Sequence, residues 1–569
     1  MRRILFLLLI FFTNLSIAQL QFSNVATSSG ANFNYGHSTF GGGVSFVDFN
    51  GDGLDDLTMS SDETQKVQFF QNTGSGFTNV TLTGINSGGR AKQVLWVDYD
   101  NDGDKDFFVT NVIGQNALYQ NDGSMSFTDV TAASGLFTDD LTSYGATFGD
   151  IDNDGDLDLF ISNREGAAAN RNYLYRNDNG TFVDITAANG INTSVELTFC
   201  ASFFDYDNDG DQDLYIINDK DDPNHLFQND GSGQFTDVSV TSGAGITIDA
   251  MSSTIGDYNS DGFFDVYVTN TQAGNQLLEN NGDGTFTNVA PAAGVAFESF
   301  AWGATFLDAD NDTHPDLYVS GSLDGSVSSL LPSAFYHNDG DGTFTIPNNI
   351  GFSNDTRESF SNAVGDFNND GKPDLVVMNH EDDYFLWENQ TTTTNNWIKI
   401  KLEGVTSNKD GVGNKIEIHA NGKSQFKFTV CGEGYLAQYS QHEFVGVGDA
   451  INIDYIKVTW NKTGVVETIN NVSPNQAITI QEGNGILSSS GLDLDSFSIG
   501  PNPSNTGVFN VSSNHTEIYS AEVYDFSGRK IIPKKRMYDT IDLSYFSKGI
   551  YLVRIYADGG TKTFKLVKN

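Results

Sequence analysis

Asp98, Asp100, Asp102 and Asp106 stand at positions 1, 3, 5 and 9 of the stretch DYDNDGDKD. Alternate side chains of a tight loop turn toward one centre, and a centre of carboxylate oxygens suits a hard cation. Ca²⁺ takes about six to eight oxygen ligands from carboxylates, amides, carbonyls and water. The spacing returns six times along the chain: at Asp48, Asn50, Asp52 and Asp56; at Asp150, Asp152, Asp154 and Asp158; at Asp205, Asp207, Asp209 and Asp213; at Asp257, Asn259, Asp261 and Asp265; at Asp308, Asp310, Asp312 and Asp316; and at Asp366, Asn368, Asp370 and Asp374. Position 6 is Gly, which allows the sharp turn, except at Thr313. Position 12 holds Met59, Val109, Ile161 or Ile216 rather than the bidentate Glu of an EF-hand. A single D/N/G-rich turn needs no metal. Clusters of three or four carboxylates at fixed offsets repel themselves without a counter-ion. All-oxygen donors favour Ca²⁺ over zinc or copper, and Mg²⁺ prefers a strict octahedron with retained waters. The expected cofactor is structural Ca²⁺, up to seven ions.

The elements that must position these loops are strands. The runs KDFFVTN, LDLFISN, QDLYIIN, PDLYVSG and PDLVVMN follow the last Asp of their loops and are rich in β-branched and aromatic residues. Loop starts are 50, 52, 55, 52, 51 and 58 residues apart. A period near 50 with four strands per unit predicts a propeller over residues 19–389. Hairpin tips such as NDG and NNG suit turns with positive φ, so Asp122, Asp178, Asp230 and Asp339 read as turn residues. The seventh unit stops after YFLWE without a fourth strand, whereas FSNVATSSG near the start matches the fourth-strand pattern FTDVTAASG. Antiparallel pairing of Phe22–Ala26 with Tyr384–Glu388 is therefore expected, closing the ring and removing its sheet edges.

The 569 residues carry a net charge of −44 and a pI near 4.2, which argues against nucleic acid as a partner. Two cysteines, Cys200 and Cys431, give no disulfide framework. Residues 1–18 read as a secretory signal: Arg2 and Arg3, an apolar run Ile4 to Phe12 too short to span a bilayer, and a small-x-small site ending at Ala18. No later segment is long and apolar enough for a transmembrane helix, so the expected location is the cell surface or the medium.

The acidic loops resemble the FG-GAP or VCBS-type repeats of integrin α-subunit propellers and many bacterial surface proteins; Thr313-His314-Pro315 departs from that pattern. Residues 396–482 resemble the ASPIC/UnbV domain that follows such repeats in cartilage acidic protein and bacterial relatives, through NWIKIKLEGVTSNKDGVGNKI, CGEGYLAQYSQ and VGVGDA. Residues 483–496 (GNGILSSSGLDLDS) read as a linker. Residues 497–569 resemble the C-terminal sorting domain of type IX secretion substrates, through Pro501-Asn502-Pro503, AEVYDFSGRKI, LSYFSKGIYLVRI and KTFKLVKN. That resemblance implies Sec export, passage across the outer membrane by the type IX machinery, and removal of this domain with surface attachment or release. The fold expected is all-β: a seven-bladed β-propeller, then a β-rich ASPIC/UnbV domain, then an Ig-like β-sandwich.

No nucleophile elbow, HExxH, P-loop or dinucleotide fingerprint occurs. Histidines 37, 225, 314, 337, 380, 419, 442 and 515 are scattered. If strands alternate in direction, the acidic loops share one end of the ring and the second-to-third loops share the other. Arg164 with Glu165, Lys220 with Asp222, and His380 with Glu381 fall on those second-to-third loops, with Trp302 nearby. This face could hold a glycan or peptide, although solvated loop charges would look the same. The expected function is an exported calcium-binding propeller for adhesion or for binding an extracellular ligand such as a polysaccharide. The competing readings are a polysaccharide lyase or glycoside hydrolase on the same scaffold, which needs a His/Tyr/Arg or paired-carboxylate cluster in one pocket, and a purely structural surface-layer component.

Overall fold

The computed structural model describes residues 19–31, 33–62, 66–489, 498–512, 520–525, 529–535, 540–557 and 560–569. The expected signal segment 1–18 and the second half of the expected linker, residues 490–496, lie outside these residues.

The long repeat region folds as successive four-stranded antiparallel sheets. Within a sheet the strands follow sequence order, as in Ser143–Gly149, Asp158–Asn163, Tyr173–Asn177 and Phe182–Asp184. In that sheet the second strand, Asp158–Asn163, is buried at every residue because adjoining sheets cover both its faces. The fourth strand is Phe182 in and Val183, Asp184 out. Cores form between sheets: Ile151, Phe160 and Leu174 of one sheet meet Ala201, Phe203 and Leu214 of the next. The first strands touch in cyclic order, Val44–Val47, Arg90–Val97, Ser143–Gly149, Thr198–Phe204, Ser253–Gly256, Ala301–Leu307, Ser359–Gly365 and back to Val44–Val47. The array is a closed propeller-like ring.

Phe22–Asn24 lies antiparallel to Phe385–Asn389, with Phe22 opposite Asn389 and Asn24 opposite Trp387. It forms the fourth strand of the sheet that holds Ser359–Gly365. Phe22 is buried, with its ring 5.5 Å from Phe335 and 4.8 Å from Phe352. The chain start thus joins the last sheet by backbone pairing and by an aromatic anchor.

Residues 396–489 form two further sheets around one aliphatic core that includes Ile400, Ile418, Val445, Ile456, Trp460 and Ile478. Gly485–Ser489 pairs with Gln476–Gln481, so the stretch from Gly483 expected as linker begins with a strand. Gly483, at φ +76°, turns the chain back onto an open sheet edge, and backbone pairing there does not need apolar side chains. Beyond it, Ser498–Gly500, Val508–Ser512 and Thr540–Asp542 form one sheet, and Ser520–Asp525, Lys530–Lys535, Gly549–Ala557 and Gly560–Lys568 form another, sharing Phe509, Val523, Ile541, Val553 and Leu566 as core. Cys200 and Cys431 are both buried and free.

Candidate metal centres

Each acidic loop folds on its own carboxylates. The position-1 side chain accepts the N–H groups of positions 5 and 6: Asp98 from Asp102 (3.0 Å) and Gly103 (2.9 Å), and likewise Asp48, Asp150, Asp205, Asp257, Asp308 and Asp366. The Thr313 loop keeps this turn with a non-glycine at φ +89°. At position 5, Asp102, Asp154, Asp209 and their equivalents Asp52, Asp261, Asp312 and Asp370 accept the N–H two residues on. The position-9 residues Asp56, Asp106, Asp158, Asp213, Asp265, Asp316 and Asp374 are fully buried. Each accepts the N–H of loop position 2 and that of an Asn ending the third strand; Asp158, for example, bonds Ile151 at 2.8 Å and Asn177 at 2.7 Å.

Position 3 is what remains. Asp100, Asp152, Asp207 and Asp310 each hold one buried carboxylate oxygen with no hydrogen-bond partner. A buried, uncompensated carboxylate oxygen is costly, and the same orphan recurs at the same position of four loops. In three of them the position 1, 3 and 9 carboxylates converge, with one oxygen from each within 4.8 Å of the others: Asp98, Asp100 and Asp106; Asp150, Asp152 and Asp158; Asp205, Asp207 and Asp213. Burial, with repulsion from neighbouring carboxylates, pushes Asp98, Asp150 and Asp205 up to about 7 and Asp106 up to about 9. These donor sets fit a hard cation.

The other loops differ. Asn50, Asn259 and Asn368 turn their carbonyl oxygens to the N–H of position 5. In the Asp308 loop Asp310 and Asp312 converge with His337, whose Nδ1 lies 2.9 Å from Asp316. In the Asp366 loop Lys399 lies 2.8 Å from Asp366, both buried, and Lys372 lies 2.7 Å from Asp370. These last two loops already hold a basic side chain of the chain itself.

Two sets of asparagines link the loops, and the metal-ligand pattern alone overlooked both. Asn101, Asn208, Asn311 and Asn369, at loop position 4 with φ near +60°, donate to the position-6 carbonyl of the next loop, and Asn153 donates to Asp211. Asn72, Asn177, Asn229, Asn280, Asn338 and Asn389 donate to the position-2 carbonyl of the preceding loop. The signal was present: every third strand ends in Asn, as in YQN, YRN, FQN, LEN, YHN and WEN.

The model of FG-GAP-like repeats matches residues 48–109, 98–161, 205–268, 257–319 and 324–377. ASPIC and UnbV matches 404–487, and the secretion system C-terminal sorting domain matches 498–569. The chain is an FG-GAP-repeat protein. Its sorting domain assigns it to type IX secretion, to the cell surface or beyond, and no described helix is long and apolar enough to cross a membrane. Among curated proteins no sequence relative was found. Of solved structures, the extracellular domain of a putative hybrid two-component system from B. thetaiotaomicron is 12% identical over 97% of this chain and 73% of that one, with a TM-score of 0.40. Saccharomyces cerevisiae Sqt1 is 10% identical over 63% and 98% (TM-score 0.37). SapL1 lectin in complex with alpha methyl fucoside is 11% identical over 55% and 98% (TM-score 0.32).

The ASPIC and UnbV region of the FG-GAP protein sits on the acidic loops. Lys399 reaches Asp366 and Asn369; Lys415 reaches Asn208 and the Gly262 carbonyl, both at 2.6 Å; Lys423 reaches Thr313; Lys462 reaches the Asp154 carbonyl. Asp410 accepts from the Asp98 N–H and pairs with Lys105, and Ser440 donates to Asp55. Trp397 packs so closely on Gly371 that a Cβ there would meet its ring at 1.8 Å. The segment from Cys431 to Ser440 enters the bore of the ring. The Cys431 carbonyl accepts from the Phe148 N–H, Ala437–Gln438 pairs parallel to Val44–Val47, and Tyr435 packs on Phe199 and Trp302.

Within that plug Glu433 accepts from the Tyr439 N–H. Burial, reinforced by Glu443, pushes its carboxyl up to about 8. A carboxyl raised in the folded state is protonated there at neutral pH. The stability it contributes is complete below its ordinary value near 4.5 and is lost as pH rises through about 8. Glu433→Gln should match the wild type at pH 4 and exceed it by roughly 4–5 kcal/mol at pH 9. Urea midpoints at the two pH values check this; a constant difference would refute it.

At the opposite end the sequence expectations separate. Arg164 is buried: it donates to Asp219 at 2.5 Å and to the Leu197 carbonyl at 2.8 Å, and its guanidinium lies over Phe199. Trp302 is likewise buried, against Phe40, Phe199, Phe360 and Tyr435. Both are packing residues rather than exposed ligand contacts: Tyr435 of the plug covers Trp302, and Asp219, Leu197 and Phe199 enclose Arg164. Asp222 is spent on the Leu197 N–H at 2.8 Å. Glu165, Lys220 and Glu381 share one backbone position, with φ of +44°, +62° and +54°, and are solvent-accessible. His380 is half-buried beside Glu358.

Proposed function

We propose that this FG-GAP protein is an exported, calcium-stiffened ring that binds an extracellular ligand, a surface polysaccharide being the preferred class, on the face away from the acidic loops. One observation carries the reading: the ASPIC and UnbV region covers the loop face and plugs the bore. Solvent-facing second-to-third loops with Glu165, Lys220 and Glu381 are left at the other end. In this reading the calcium ions are structural. Asp98, Asp100 and Asp106 hold one, and the equivalent residues of the Asp150 and Asp205 loops hold two more. The chemistry each ion supplies is neutralisation of a buried carboxylate cluster.

The test is a glycan array probed with the full chain in millimolar Ca²⁺, beside a Glu165→Ala/Lys220→Ala variant. Binding to one polysaccharide class that falls at least tenfold in the variant is expected. A wild-type chain that retains no glycan, or a variant that binds equally, would remove the proposed face.

A further inference from the structure

We propose a second kind of metal site, for Zn²⁺ or a similar borderline divalent ion, built from His37, His380 and Glu381 at the end of the ring opposite the acidic loops. One ligand atom from each lies within 4.8 Å of the other two. The imidazoles of His37 and His380 are 4.9 Å apart between centroids, and His37 Nδ1 is 2.8 Å from the Glu381 carboxylate. Two ring nitrogens and one carboxylate form a mixed donor set, which suits zinc and differs from the all-oxygen calcium loops.

His380 carries the argument furthest. Its Nδ1 lies 3.1 Å from Glu358, so a carboxylate orients the ring from behind. Its Nε2 is buried and has no hydrogen-bond partner. That is the arrangement in which a second carboxylate sets the tautomer of a metal-bound histidine and leaves the other nitrogen to the ion. The backbone holds the parts together from two distant stretches. The Glu381 N–H donates to the Gly36 carbonyl at 3.0 Å, and Asn34 bridges to Asp383. Phe360 packs edge-on against His380 at 5.8 Å and closes one side. The side chains of His37 and Glu381 are 69% and 63% exposed, so the other side faces water. Three protein ligands with an accessible side leave a coordination position for a solvent molecule or an exogenous carboxylate. The ion would tie the entering N-terminal stretch to the last sheet without touching the calcium loops, so the inference stands independently of the calcium reading.

The probe is Co²⁺, titrated into the full chain with the loops kept saturated by millimolar Ca²⁺, followed by visible absorption and then displaced with Zn²⁺. One equivalent with a saturating ligand-field band is expected. His37→Ala and His380→Ala should each weaken it at least tenfold. Glu358→Gln, acting only through His380, should weaken it about 10- to 100-fold. His337→Ala, in the other cluster that mixes His with Asp, should change nothing. Unaltered melting curves in Ca²⁺ confirm that the variants fold, as the exposure of His37 leads one to expect. The proposal is overturned if no saturable band forms, if the His37→Ala/His380→Ala double variant binds like wild type, or if His337→Ala abolishes the signal.

Discussion

Excess EDTA lowers the melting temperature of the ring by about 5 °C, and added Ca²⁺ restores it. The expectation rests on the orphaned oxygens of Asp100, Asp152, Asp207 and Asp310 and on the carboxylates converging beside them. Extracellular calcium modules bind at about 10⁻⁴ to 10⁻³ M, so at millimolar Ca²⁺ each site stabilises by about 1 kcal/mol. Several sites together contribute several kcal/mol, and each kcal/mol moves the midpoint of a ring this large by about 1–2 °C. The Asp366 loop should contribute least, because Lys399 and Lys372 already lie against its carboxylates. Replacing Asp100, Asp152 and Asp207 by Asn should therefore remove most of the EDTA-sensitive shift. Calorimetry with and without chelator decides the matter, and an unmoved midpoint in EDTA would end the calcium reading.

Gln438→Ala costs about 3–5 kcal/mol and splits one melting transition into two. Gln438 is buried in the bore. Its Oε1 accepts the Trp96 N–H at 2.8 Å and the Ser45 hydroxyl at 3.0 Å, and its Nε2 donates to the Trp96 carbonyl at 2.7 Å. Truncation leaves the Trp96 N–H and C=O unpaired and a void beside them, and both penalties add. The same side chain joins the plug to the ring, so its loss uncouples the ASPIC and UnbV region from the sheets beneath. Differential scanning calorimetry should resolve a lower transition for that region. A single transition at the wild-type temperature would show that the plug is not what couples them.

Much of this molecule is legible locally. DxDxDG loops followed by runs such as DLFISN need only a short stretch of chain to read, since a strand buried on both faces is apolar throughout and a loop that turns on its own carboxylates shows its ligands in order. FSNVATSSG repeats a pattern seen elsewhere in the chain, which is why pairing between the start and Phe385–Asn389 could be anticipated. Gly485–Ser489 shows the limit, because its Gly- and Ser-rich composition conceals a strand that pairs through its backbone alone.

What the sequence determined by itself was therefore the repeat, its period, its acidic loops and the order of three unlike regions. The tertiary structure alone decided which surface stays free. Arg164 and Trp302 look like exposed recognition residues in sequence, yet Arg164 is enclosed by Asp219, the Leu197 carbonyl and Phe199, and Trp302 is covered by Tyr435 from a segment some 130 positions later. Lys399, Lys415 and Lys462 look like ordinary strand and turn lysines until their partners, tens to hundreds of residues earlier, are beside them. The physical reason is range. Periodicity and turn chemistry act over a few residues and repeat, whereas docking a plug into a ring depends on contacts made once, between stretches hundreds of residues apart, as Val44–Val47 and Ala437–Gln438 are.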